Sequence, residues 1–555
     1  MNLKGAEIVI ETLIELGVTD IFGYPGGAVL DIYDAIYARQ DKITHHITAH
    51  EQGAAHAADG YFRATGKVGV VLATSGPGAT NLVTGIATAM MDSVPLVAIT
   101  GNVAQSLIGR DSFQEIDITG ITLPITKHNF FVHKVEKLAD RIREAFRIAR
   151  SGRPGPVLID IPKDIQVALC EYMPKPVEPL FPIKAPDKQL IADAAKLLNQ
   201  KSRPYIHIGG GVIGSHARDL VLELAERVDG VIGCSLMGIS AIDSDNPRFL
   251  GMQGMHGHYA SSAACNEADV IIAIGTRFSD RATGNKAKFA ANSSIIHIDA
   301  DQSEIGKNIP ADIGICGSIT ESISGILAGL EKHDNKAWIE RVNELRAREN
   351  KYSPKADSLN PYFVMSEINA VKDADTVIAT DVGQHQMWAA QYLKFSKERT
   401  FSSSGGLGTM GFGLGAAIGA AVGTKHPTIL ITGDGSFGMN LNELSTAVRE
   451  NVPLTIVIMD NGVLGMVRQW QTLFYKKHYS NTTLTGRTDY VKLAEAFGAK
   501  GVRTATCEEF SLALREAYAS GGVTVIDCLI DKDEFVLPML PPGGAVEDII
   551  VEKEV

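Results

Sequence analysis

The sequence PTILITGDGSFGMNLNELSTAVRENVPLTIVIMDNG, residues 427–462, determines the fold class. Residues 428–432 are predicted to form a buried strand that leaves through Gly433-Asp434-Gly435, and residues 454–459 are predicted to form a second strand. The intervening residues 440–450 carry apolar side chains at helical spacing and are predicted to form a helix. A right-handed crossover brings the carboxyl ends of both strands to one edge of a parallel sheet. Asp434 and Asn461 are therefore expected to converge.

Similar strand-to-glycine patterns recur along the chain, as VGVVLATSGPG, RPYIHIGGG and ADVIIAIGTR. Strands that are apolar on both faces and alternate with helices predict an α/β protein with doubly wound parallel sheets. A chain of 555 residues is too long for one core. Polar, proline-bearing stretches divide it at residues 172–187 and 331–360, the second of which breaks at Ser353-Pro354. We expect three such domains, at residues 1–171, 188–330 and 361–540, followed by a C-terminal tail at 541–555.

Composition argues against several classes of function. The net charge of -12 and the lack of a basic run disfavour a nucleic-acid surface. The apolar runs have the length of strands, far below the ~20 residues that span a bilayer, so no membrane association is expected. The amphipathic residues 6–16 follow the N-terminus directly, and no signal sequence is expected there. The six cysteines form no C-x-x-C pair, which predicts neither a zinc site nor disulfides and favours a cytoplasmic protein.

Two groups of residues carry candidate chemistry. Asp434 and Asn461 would place hard oxygen ligands beside glycine-exposed backbone amides, which is typical of a magnesium site that holds a diphosphate. By itself, GDG is an ordinary turn. In the first domain, AHEQGAA at residues 49–55 places Glu51 at the start of a helix, where a carboxylate commonly does no more than favour the helix dipole. The segment TSGPGATN at residues 74–81 adds another strand-to-turn with free amides.

Together these segments resemble the thiamine diphosphate enzymes, over roughly residues 3–548. The resemblance implies that Asp434, Asn461 and the carbonyl group of Val463 hold Mg²⁺. It also implies that Glu51 contacts the aminopyrimidine and promotes removal of a proton from the cofactor. Met410 resembles the apolar residue that bends the cofactor, although an isolated Met is more often core filler. The implied thiamine diphosphate contacts are Gly27, Glu51, Asn81, Val382, Gly383, Gln384, His385, Gly408, Met410, Gly435, Ser436, Gly465 and Met466.

The middle domain resembles the FAD-binding domain of acetohydroxyacid synthases. Residues 209–214 satisfy the G-x-G-x-x-G pattern, a weak dinucleotide signal when taken alone. The segments GMHG at 254–257, GTRFSDR at 275–281 and HIDAD at 297–301 carry the resemblance. The alternative is a nucleotide fold that binds nothing. The implied FAD contacts are Arg153, Gly209, Gly210, Gly211, Leu236, Met237, Met255, His256, Gly275, Arg277, Asp280, Arg281 and Asp299.

The resemblance also implies a site for a second 2-keto acid. Arg281 has the planar guanidinium that suits a carboxylate, and the family uses this position for that acid; the alternative is a contact with flavin or solvent. Trp470 resembles the tryptophan that favours 2-ketobutyrate over pyruvate as acceptor, whereas most Trp side chains are core packing. Phe113 matches another pocket position. Gln114 and Lys163 match catalytic positions alongside Glu51 and Met410.

Four sites depart from the family pattern. Ala49 stands where Arg is more common, Asp460 where Asn is usual, Arg468 where an apolar residue is common, and Gly317-Ser318 where an acidic residue often occurs.

The activity that the resemblance implies is the decarboxylation of pyruvate and transfer of its two-carbon unit to pyruvate or 2-ketobutyrate. The products would be 2-acetolactate or 2-aceto-2-hydroxybutyrate, in branched-chain amino acid biosynthesis. The alternatives are a flavin-dependent pyruvate oxidase or another thiamine diphosphate decarboxylase, a flavin-free acetolactate synthase, and a non-enzymatic scaffold. Expected partners are the small 2-keto acids, a second copy in a homodimer or homotetramer, and a separate regulatory small subunit.

Overall fold

The computed structural model of the protein describes residues 1–351, 358–484, 486 and 488–552. The predicted break at Ser353-Pro354 and the last three residues of the predicted tail lie outside these residues. Within the described ranges, every helix is too short or too polar to cross a bilayer.

The N-terminal part of the chain forms a six-stranded parallel sheet. This part of the chain has eight strands in all, six in this sheet and two that pair separately: β1 (Asn2–Lys4), β2 (Asp20–Gly23), β3 (Thr44–Ile47), β4 (Gly69–Ala73), β5 (Leu96–Asn102), β6 (His128–Phe131), β7 (Val157–Pro162) and β8 (Leu169–Glu171). Its helices are α1 (Gly5–Glu15), α2 (Leu30–Tyr37), α3 (Glu51–Thr65), α4 (Pro77–Asn81), α5 (Val83–Met91), α6 (Ile118–Thr122), α7 (Leu138–Arg150) and α8 (Lys163–Val167). The sheet has the order β3-β2-β4-β5-β7-β6, and β1 pairs separately with β8.

The central part of the chain forms a second six-stranded parallel sheet in the order β11-β10-β9-β12-β13-β14. Its strands are β9 (Pro204–Ile208), β10 (Val231–Cys234), β11 (Phe249–Met252), β12 (Val270–Ile274), β13 (Ser294–Asp299) and β14 (Ile313–Cys316). The helices are α9 (Lys188–Leu198), α10 (Gly210–Gly214), α11 (Arg218–Arg227), α12 (Tyr259–Glu267), α13 (Asp280–Thr283), α14 (Ile319–Ala328) and α15 (Lys336–Glu349). Counted from its first strand, the order is 3-2-1-4-5-6, as in dinucleotide-binding folds.

The C-terminal part of the chain forms a third parallel sheet in the order β16-β15-β17-β18-β20-β19. Its strands are β15 (Val377–Thr380), β16 (Phe401–Ser402), β17 (Thr428–Gly433), β18 (Leu454–Asp460), β19 (Lys500–Thr504) and β20 (Thr524–Leu529). The helices are α16 (Pro361–Val371), α17 (Gln384–Tyr392), α18 (Phe412–Thr424), α19 (Asp434–Asn440), α20 (Leu444–Arg449), α21 (Gly465–Phe474), α22 (Tyr490–Ala496) and α23 (Cys507–Ser520). Counted within each sheet, its order matches that of the N-terminal sheet.

The predicted fold class, three doubly wound parallel α/β sheets, is confirmed. The strands are buried on both faces, as the continuous apolar runs of β4, β12 and β17 predict. Each sheet lies within one of the predicted domains, and the exact domain boundaries stay a prediction. Residues 173–187 contain neither helix nor strand, as their five prolines favour.

The helix predicted for residues 440–450 is wrong in its bounds. Helix α19 already starts at Asp434, a 3₁₀ turn covers Leu441–Glu443, and α20 covers only Leu444–Arg449. The interruption turns Glu443 toward the N-terminal domain, where its carboxylate accepts hydrogen bonds from the backbone N–H groups of Ala49 at 3.1 Å and His50 at 2.9 Å. Local periodicity carries no signal for such a contact between domains.

Helices α3 and α18 join the N-terminal and C-terminal domains along a face of small residues. A Cβ atom added at Gly419 would overlap the carbonyl oxygen of Ala57, and one added at Gly60 would overlap that of Ala416. Only glycine at these positions allows the two backbones to lie so close together. The domains that carry Glu51 and Asp434 are therefore joined through a rigid, closely packed pair of helices.

His46, on β3 just before Glu51, also bridges the two domains. Its Nε2 lies 2.9 Å from Asp20 Oδ1, and its Nδ1 lies 2.7 Å from Glu450 Oε2 in the C-terminal domain. The ring is 3% exposed and stacks on Phe22. Burial opposes the charged imidazolium, but the hydrogen bonds to Asp20 and Glu450 outweigh it and raise the pKa of His46 to about 8.

We expect His46→Gln to flatten the dependence of stability on pH. Because the folded-state pKa lies above the ordinary value of 6.5, the stabilisation is complete below that value and is lost as the pH rises through about 8. The shift corresponds to roughly 2 kcal/mol at low pH. The thermal midpoints of wild type and His46→Gln should therefore differ near pH 6 and converge near pH 9. The matched control is His45→Gln, because burial lowers the pKa of His45 to about 4; an equal loss in both variants would contradict the expectation.

Candidate active site

The C-terminal sheet has a switch point between β15 and β17, the place where ligands bind in doubly wound folds. Strand β15 leads into Asp381-Val382-Gly383 and α17, and β17 leads into α19. Ser436 Oγ donates a hydrogen bond to the carbonyl oxygen of Val382 at 2.8 Å, which ties the two loops together. Val382, Gly383, Gly435 and Ser436 thus lie at one edge of this sheet.

Asp434 and the turn that contains Asn461 also meet at this edge. Asp434 Oδ2 accepts a hydrogen bond from the backbone N–H of Gly462 at 3.0 Å, and Asn461 Oδ1 accepts one from Val463 at 3.1 Å. Burial, and then the neighbouring Asp460 carboxylate, raise the pKa of Asp434 to about 7. Crowded, buried carboxylate oxygens next to an amide oxygen fit a hard divalent cation, which would relieve their repulsion.

His385 lies between two glycines of the edge. A Cβ atom at Gly433 would be 2.9 Å from His385 Nδ1, and one at Gly383 would be 2.7 Å from its Cε1. Burial lowers the pKa of His385 to about 3, so the imidazole is neutral near pH 7. Its Nε2 has no hydrogen-bond partner among the described residues. A buried ring nitrogen without a partner fits a ligand group at this position.

The start of α21 closes the same edge. A Cβ atom at Gly465 would overlap Gln384 Oε1, and one at Gly435 would lie 2.7 Å from Leu464. Met466 is partly buried and packs against the core. The two glycines thus let the Gln384 and Leu464 side chains lie directly against the backbone at this edge.

Glu51 lies at the corresponding edge of the N-terminal sheet. It starts α3, is 8% exposed, and its Oε2 accepts a hydrogen bond from Asn81 Nδ2 at 3.0 Å. A Cβ atom at Gly78 would be only 3.2 Å from Glu51 Oε1. The TSGPGATN segment therefore faces the Glu51 carboxylate with its backbone and with the side-chain amide of Asn81. The carboxylate is well placed to exchange a proton in a dry environment.

Gly27, Gln114 and Lys163 surround this half of the site. Lys163 forms an ion pair with Asp31 and donates to the carbonyl oxygen of Gly27 at 3.3 Å. Gln114 has a positive φ of 59°, and a Cβ atom at Gly76 would be 2.8 Å from its Cβ. Phe113, next to it, is 87% exposed. The apolar ring of Phe113 is thus available to cover a pocket from outside.

The segment around Met410 links both halves. Thr409 Oγ1 lies 2.8 Å from Thr88 Oγ1 of the N-terminal domain, and Asp92 accepts hydrogen bonds from the backbone N–H groups of Gly405 and Gly406. Residues 405–408, including Gly408, are exposed, and Met410 is half-buried. Met410 thus lies, only partly buried, next to the contact between the two domains.

The switch point of the central sheet lies between β9 and β12, where the glycine loops touch. The N–H group of Gly211 donates to the carbonyl oxygen of Gly275 at 3.1 Å, and a Cβ atom at Gly211 would be 2.6 Å from the Cα of Gly275. A Cβ at Gly209 would overlap the same carbonyl, and Gly210 starts α10. A crevice of this kind lets a pyrophosphate approach the backbone.

The other predicted FAD residues lie around this crevice. Arg153 donates from Nε to Ser93 Oγ at 2.8 Å and from Nη1 to Glu304 at 2.7 Å, so it spans the N-terminal and central domains. Burial raises the pKa of Asp299, at the end of β13, to about 6. The remaining positions are half-buried Arg277 after β12, Leu236 and Met237 at the start of a 3₁₀ turn, buried Met255 and His256, and exposed Asp280.

Arg281 and Trp470 come from different domains and meet. The Arg281 guanidinium lies 5.8 Å from the centre of the Trp470 ring, and its Nη1 lies 3.3 Å from Met255 Sδ. The Arg281 side chain is 62% exposed. An accessible cation beside an apolar ring can receive a small molecule with one carboxylate and one apolar end.

Three residues of the site were missed from sequence. Asp381 accepts hydrogen bonds from the N–H groups of Val382 at 3.1 Å and Gly411 at 2.7 Å, and burial raises its pKa to about 6. Its place directly after a strand was a usable signal. Glu443 and Gln469 make contacts between distant segments, and neither belongs to a motif that could have indicated this.

Comparison with known proteins defines the class. Residues 3–121 match the thiamine pyrophosphate enzyme N-terminal TPP binding domain, residues 191–326 match the central domain, and residues 381–528 match the C-terminal TPP binding domain. Each match covers most of the strands of one of the three sheets. A fold with these domains, with Glu51 at the carboxyl edge of the N-terminal sheet and Asp434 at the switch point of the C-terminal sheet, is a thiamine diphosphate enzyme.

Similar proteins narrow the class further. The chain is 47% identical to a probable acetolactate synthase large subunit of Methanocaldococcus jannaschii, over 99% of this chain and 95% of the relative. It is 43% identical to acetolactate synthase isozyme 2 large subunit of Escherichia coli over 99% of each chain. Identity to the acetolactate synthase large subunit of Haemophilus influenzae is 42%, over 100% and 99%. The chain belongs to the acetolactate synthase large-subunit family, and its activity is thiamine diphosphate-dependent acetolactate synthesis.

Proposed function

We propose that the chain joins pyruvate to a second 2-keto acid, either pyruvate or 2-ketobutyrate, to give 2-acetolactate or 2-aceto-2-hydroxybutyrate. The observation that carries this proposal is the Arg281 guanidinium 5.8 Å from the Trp470 ring centre. Arg281 would hold the carboxylate of the acceptor, and the apolar face of Trp470 would contact its alkyl end, which is longer in 2-ketobutyrate. Burying one extra methyl group favours the longer acid.

Thiamine diphosphate, when bound, supplies a nucleophilic carbon and a cationic ring that accepts the electrons released when a 2-keto acid loses carbon dioxide. The chain's own contribution is to position and to move protons. Glu51 would hold a proton at its carboxylate against the aminopyrimidine, in surroundings kept dry by Gly78 and Asn81. Met410 would press on the cofactor, Gln114 and Lys163 would flank the reacting groups, and Phe113 would cover the pocket.

Mg²⁺ is proposed to bind Asp434, Asn461 and the carbonyl group of Val463. The support is the buried Asp434 carboxylate, which lies near the Asp460 carboxylate and the Asn461 amide oxygen. A nearby cation would also lower the raised pKa of Asp434 again. His385, Gly383, Gly408, Ser436 and the amides near Gly435, Gly465 and Met466 would face the diphosphate. Gln384 would face it through its backbone, because both donors of its side-chain amide are already used within the protein.

FAD is proposed to bind the crevice of the central sheet. The support is the strand order of dinucleotide-binding folds and the close approach of Gly211 and Gly275. Arg153 and Arg277 would neutralise its phosphates. In this proposal the flavin has no redox role, because the joining of two keto acids and loss of carbon dioxide involve no net oxidation.

A second copy of the chain is proposed to complete each site, in a homodimer or homotetramer. Large apolar side chains are exposed beside both halves, namely Tyr24, Leu30 and Phe113 near Glu51, and Leu407 and Met439 near the C-terminal half. Exposed apolar patches of this kind commonly mark interfaces between proteins. Because the Escherichia coli and Haemophilus influenzae relatives are named large subunits, we also propose a separate small subunit. The two proposed products are the basis on which we propose a role in branched-chain amino acid biosynthesis.

The test is product analysis with purified protein, thiamine diphosphate, Mg²⁺, FAD, pyruvate and 2-ketobutyrate. Both acetohydroxy acids should form without oxygen uptake. Bound flavin should be visible in the absorbance spectrum, and leaving out an electron acceptor should not change the rate of product formation. Oxygen consumption that matches pyruvate loss would point instead to a flavin-dependent pyruvate oxidase. Acetaldehyde as the main product would point to a simple decarboxylase.

Trp470→Leu should erode the preference for 2-ketobutyrate. Loss of the ring's apolar surface removes part of the gain from the extra methyl group, which is worth about 1 kcal/mol, or roughly a fivefold change in product ratio. Mixtures of both acceptors, analysed at fixed pyruvate, measure that ratio. Phe474→Leu, which removes the ring that packs edge-on against Trp470 at 5.6 Å, is the matched control. Wild-type ratios from Trp470→Leu would remove this tryptophan from the acceptor site.

A further inference from the structure

Gln469 is buried next to Trp470 on α21, and its side-chain amide is fully used. Its Oε1 accepts hydrogen bonds from the backbone N–H of Val536 and from Gln384 Nε2, both at 2.9 Å. Its Nε2 donates to the carbonyl oxygen of Val536 at 3.1 Å and lies 3.5 Å from Met539 Sδ. Because both backbone groups of Val536 are engaged, only one orientation of the Gln469 amide fits.

The segment that Gln469 holds is residues 533–545, here called the strap. The strap follows β20 without forming a helix, and Val536, Met539 and Leu540 on it are buried. Besides Gln469, it is held by an ion pair of Asp533 with Arg468 at 2.8 Å and by a hydrogen bond from Gln384 Nε2 to the carbonyl oxygen of Glu534 at 2.8 Å. Helices α17 and α21 are thus both attached to one end of the strap.

The other end of the strap is attached to the loop of Arg281. Leu540 donates its backbone N–H to the carbonyl oxygen of Met255 at 2.7 Å, and Met255 in turn donates to the carbonyl oxygen of Arg281 at 2.7 Å. A Cβ atom at Gly284 would be 2.7 Å from Leu540 Cδ2, so the strap packs directly on this loop. The strap therefore runs from the neighbour of Trp470 to the backbone of Arg281.

We infer that Gln469 is a positioning residue for acceptor selection: by clamping Val536 it fixes the strap and, through the strap, the spacing of Trp470 and Arg281. This inference rests on the proposed function, in which Arg281 and Trp470 receive the second 2-keto acid. The two residues that would contact the acceptor lie on different domains, and direct contact between them is limited to one ring and one exposed cation. A buried, fully bonded amide supplies the rigidity that such a contact lacks.

Two substitutions at Gln469 separate clamping from simple packing. Gln469→Met keeps the volume but loses every hydrogen bond to Val536. Gln469→Glu keeps both acceptor contacts but cannot donate to the carbonyl of Val536 until its carboxyl group is protonated. We expect Gln469→Met to raise the KM for 2-ketobutyrate by about tenfold and to shift products toward acetolactate, with a smaller effect on kcat with pyruvate alone. In Gln469→Glu the product ratio should return toward wild type as the pH falls.

Gln471→Met is the matched control, since Gln471 lies on the same helix and bonds to Ser480 and Thr482 but not to the strap. It should leave the product ratio near wild type whatever its turnover. Equal losses in both reactions, or a pH-independent ratio in Gln469→Glu, would overturn the inference. If Trp470→Leu shifts the ratio and the Gln469 variants do not, the inference alone fails; if Trp470→Leu and Gln469→Met both leave it unchanged, the acceptor site itself is misplaced. Should Gln469→Met not fold, the pH dependence of Gln469→Glu still decides.

Discussion

Replacing Glu51 by glutamine should slow acetolactate formation by about 10²- to 10⁴-fold while thiamine diphosphate stays bound. The amide keeps the shape of the side chain and can still accept the hydrogen bond from Asn81, so the pocket is preserved. It cannot hold and release a proton, which is the role we propose for this carboxylate. The loss should therefore appear in the chemical step and not in cofactor affinity.

Two measurements distinguish these effects. Calorimetry with thiamine diphosphate and Mg²⁺ should give similar affinities for wild type and Glu51→Gln, and exchange of the cofactor's reactive proton into deuterated solvent should slow in parallel with turnover. Glu136→Gln, which removes an exposed carboxylate from the same domain, should behave as wild type. Full turnover in Glu51→Gln would mean that another group supplies the base.

The sequence predicted the fold well because its signals were local. Apolar runs such as those of β17 and β18 gave the strands, and the glycines after them gave the edges at which ligands bind. Strand order is set by contacts between distant segments, so the 3-2-1-4-5-6 order of the central sheet, a main support for FAD, became visible only in the structure.

The contacts that Glu443, Arg468 and Gln469 make with distant segments were not predicted from the sequence. The turn at Leu441–Glu443 exists because Glu443 reaches the backbone of Ala49 and His50, and this interrupts a pattern that looks helical locally. Arg468, which departs from the family pattern, pairs with Asp533 on the strap and stacks on Tyr479 at 3.9 Å. A glutamine such as Gln469 matches no motif, because its role depends on partners far along the chain.

Replacing Asp434 by asparagine should weaken binding of Mg²⁺ and thiamine diphosphate by about 10- to 100-fold and lower turnover at least as much. In the wild type, burial and Asp460 raise the pKa of Asp434 to about 7, so protons compete with the metal. Metal affinity should therefore rise with pH up to about 7 and level off above it. Titration calorimetry across this range, at constant ionic strength, measures the effect; Asp434→Asn should bind weakly with little dependence on pH.

Asp460→Asn provides the decisive comparison, because it removes the carboxylate that raises the pKa of Asp434 without removing a proposed ligand. Its pH dependence of metal binding should move to lower pH. Thermal stability provides an independent check. Because the folded-state pKa of Asp434 is raised, ionisation of its carboxyl group without metal costs stability as the pH rises through about 7. The gain in thermal midpoint on adding Mg²⁺ and cofactor should thus grow from pH 6 to pH 8 in the wild type, and grow less in Asp460→Asn. An Asp434→Asn protein with wild-type metal affinity would place the cation elsewhere.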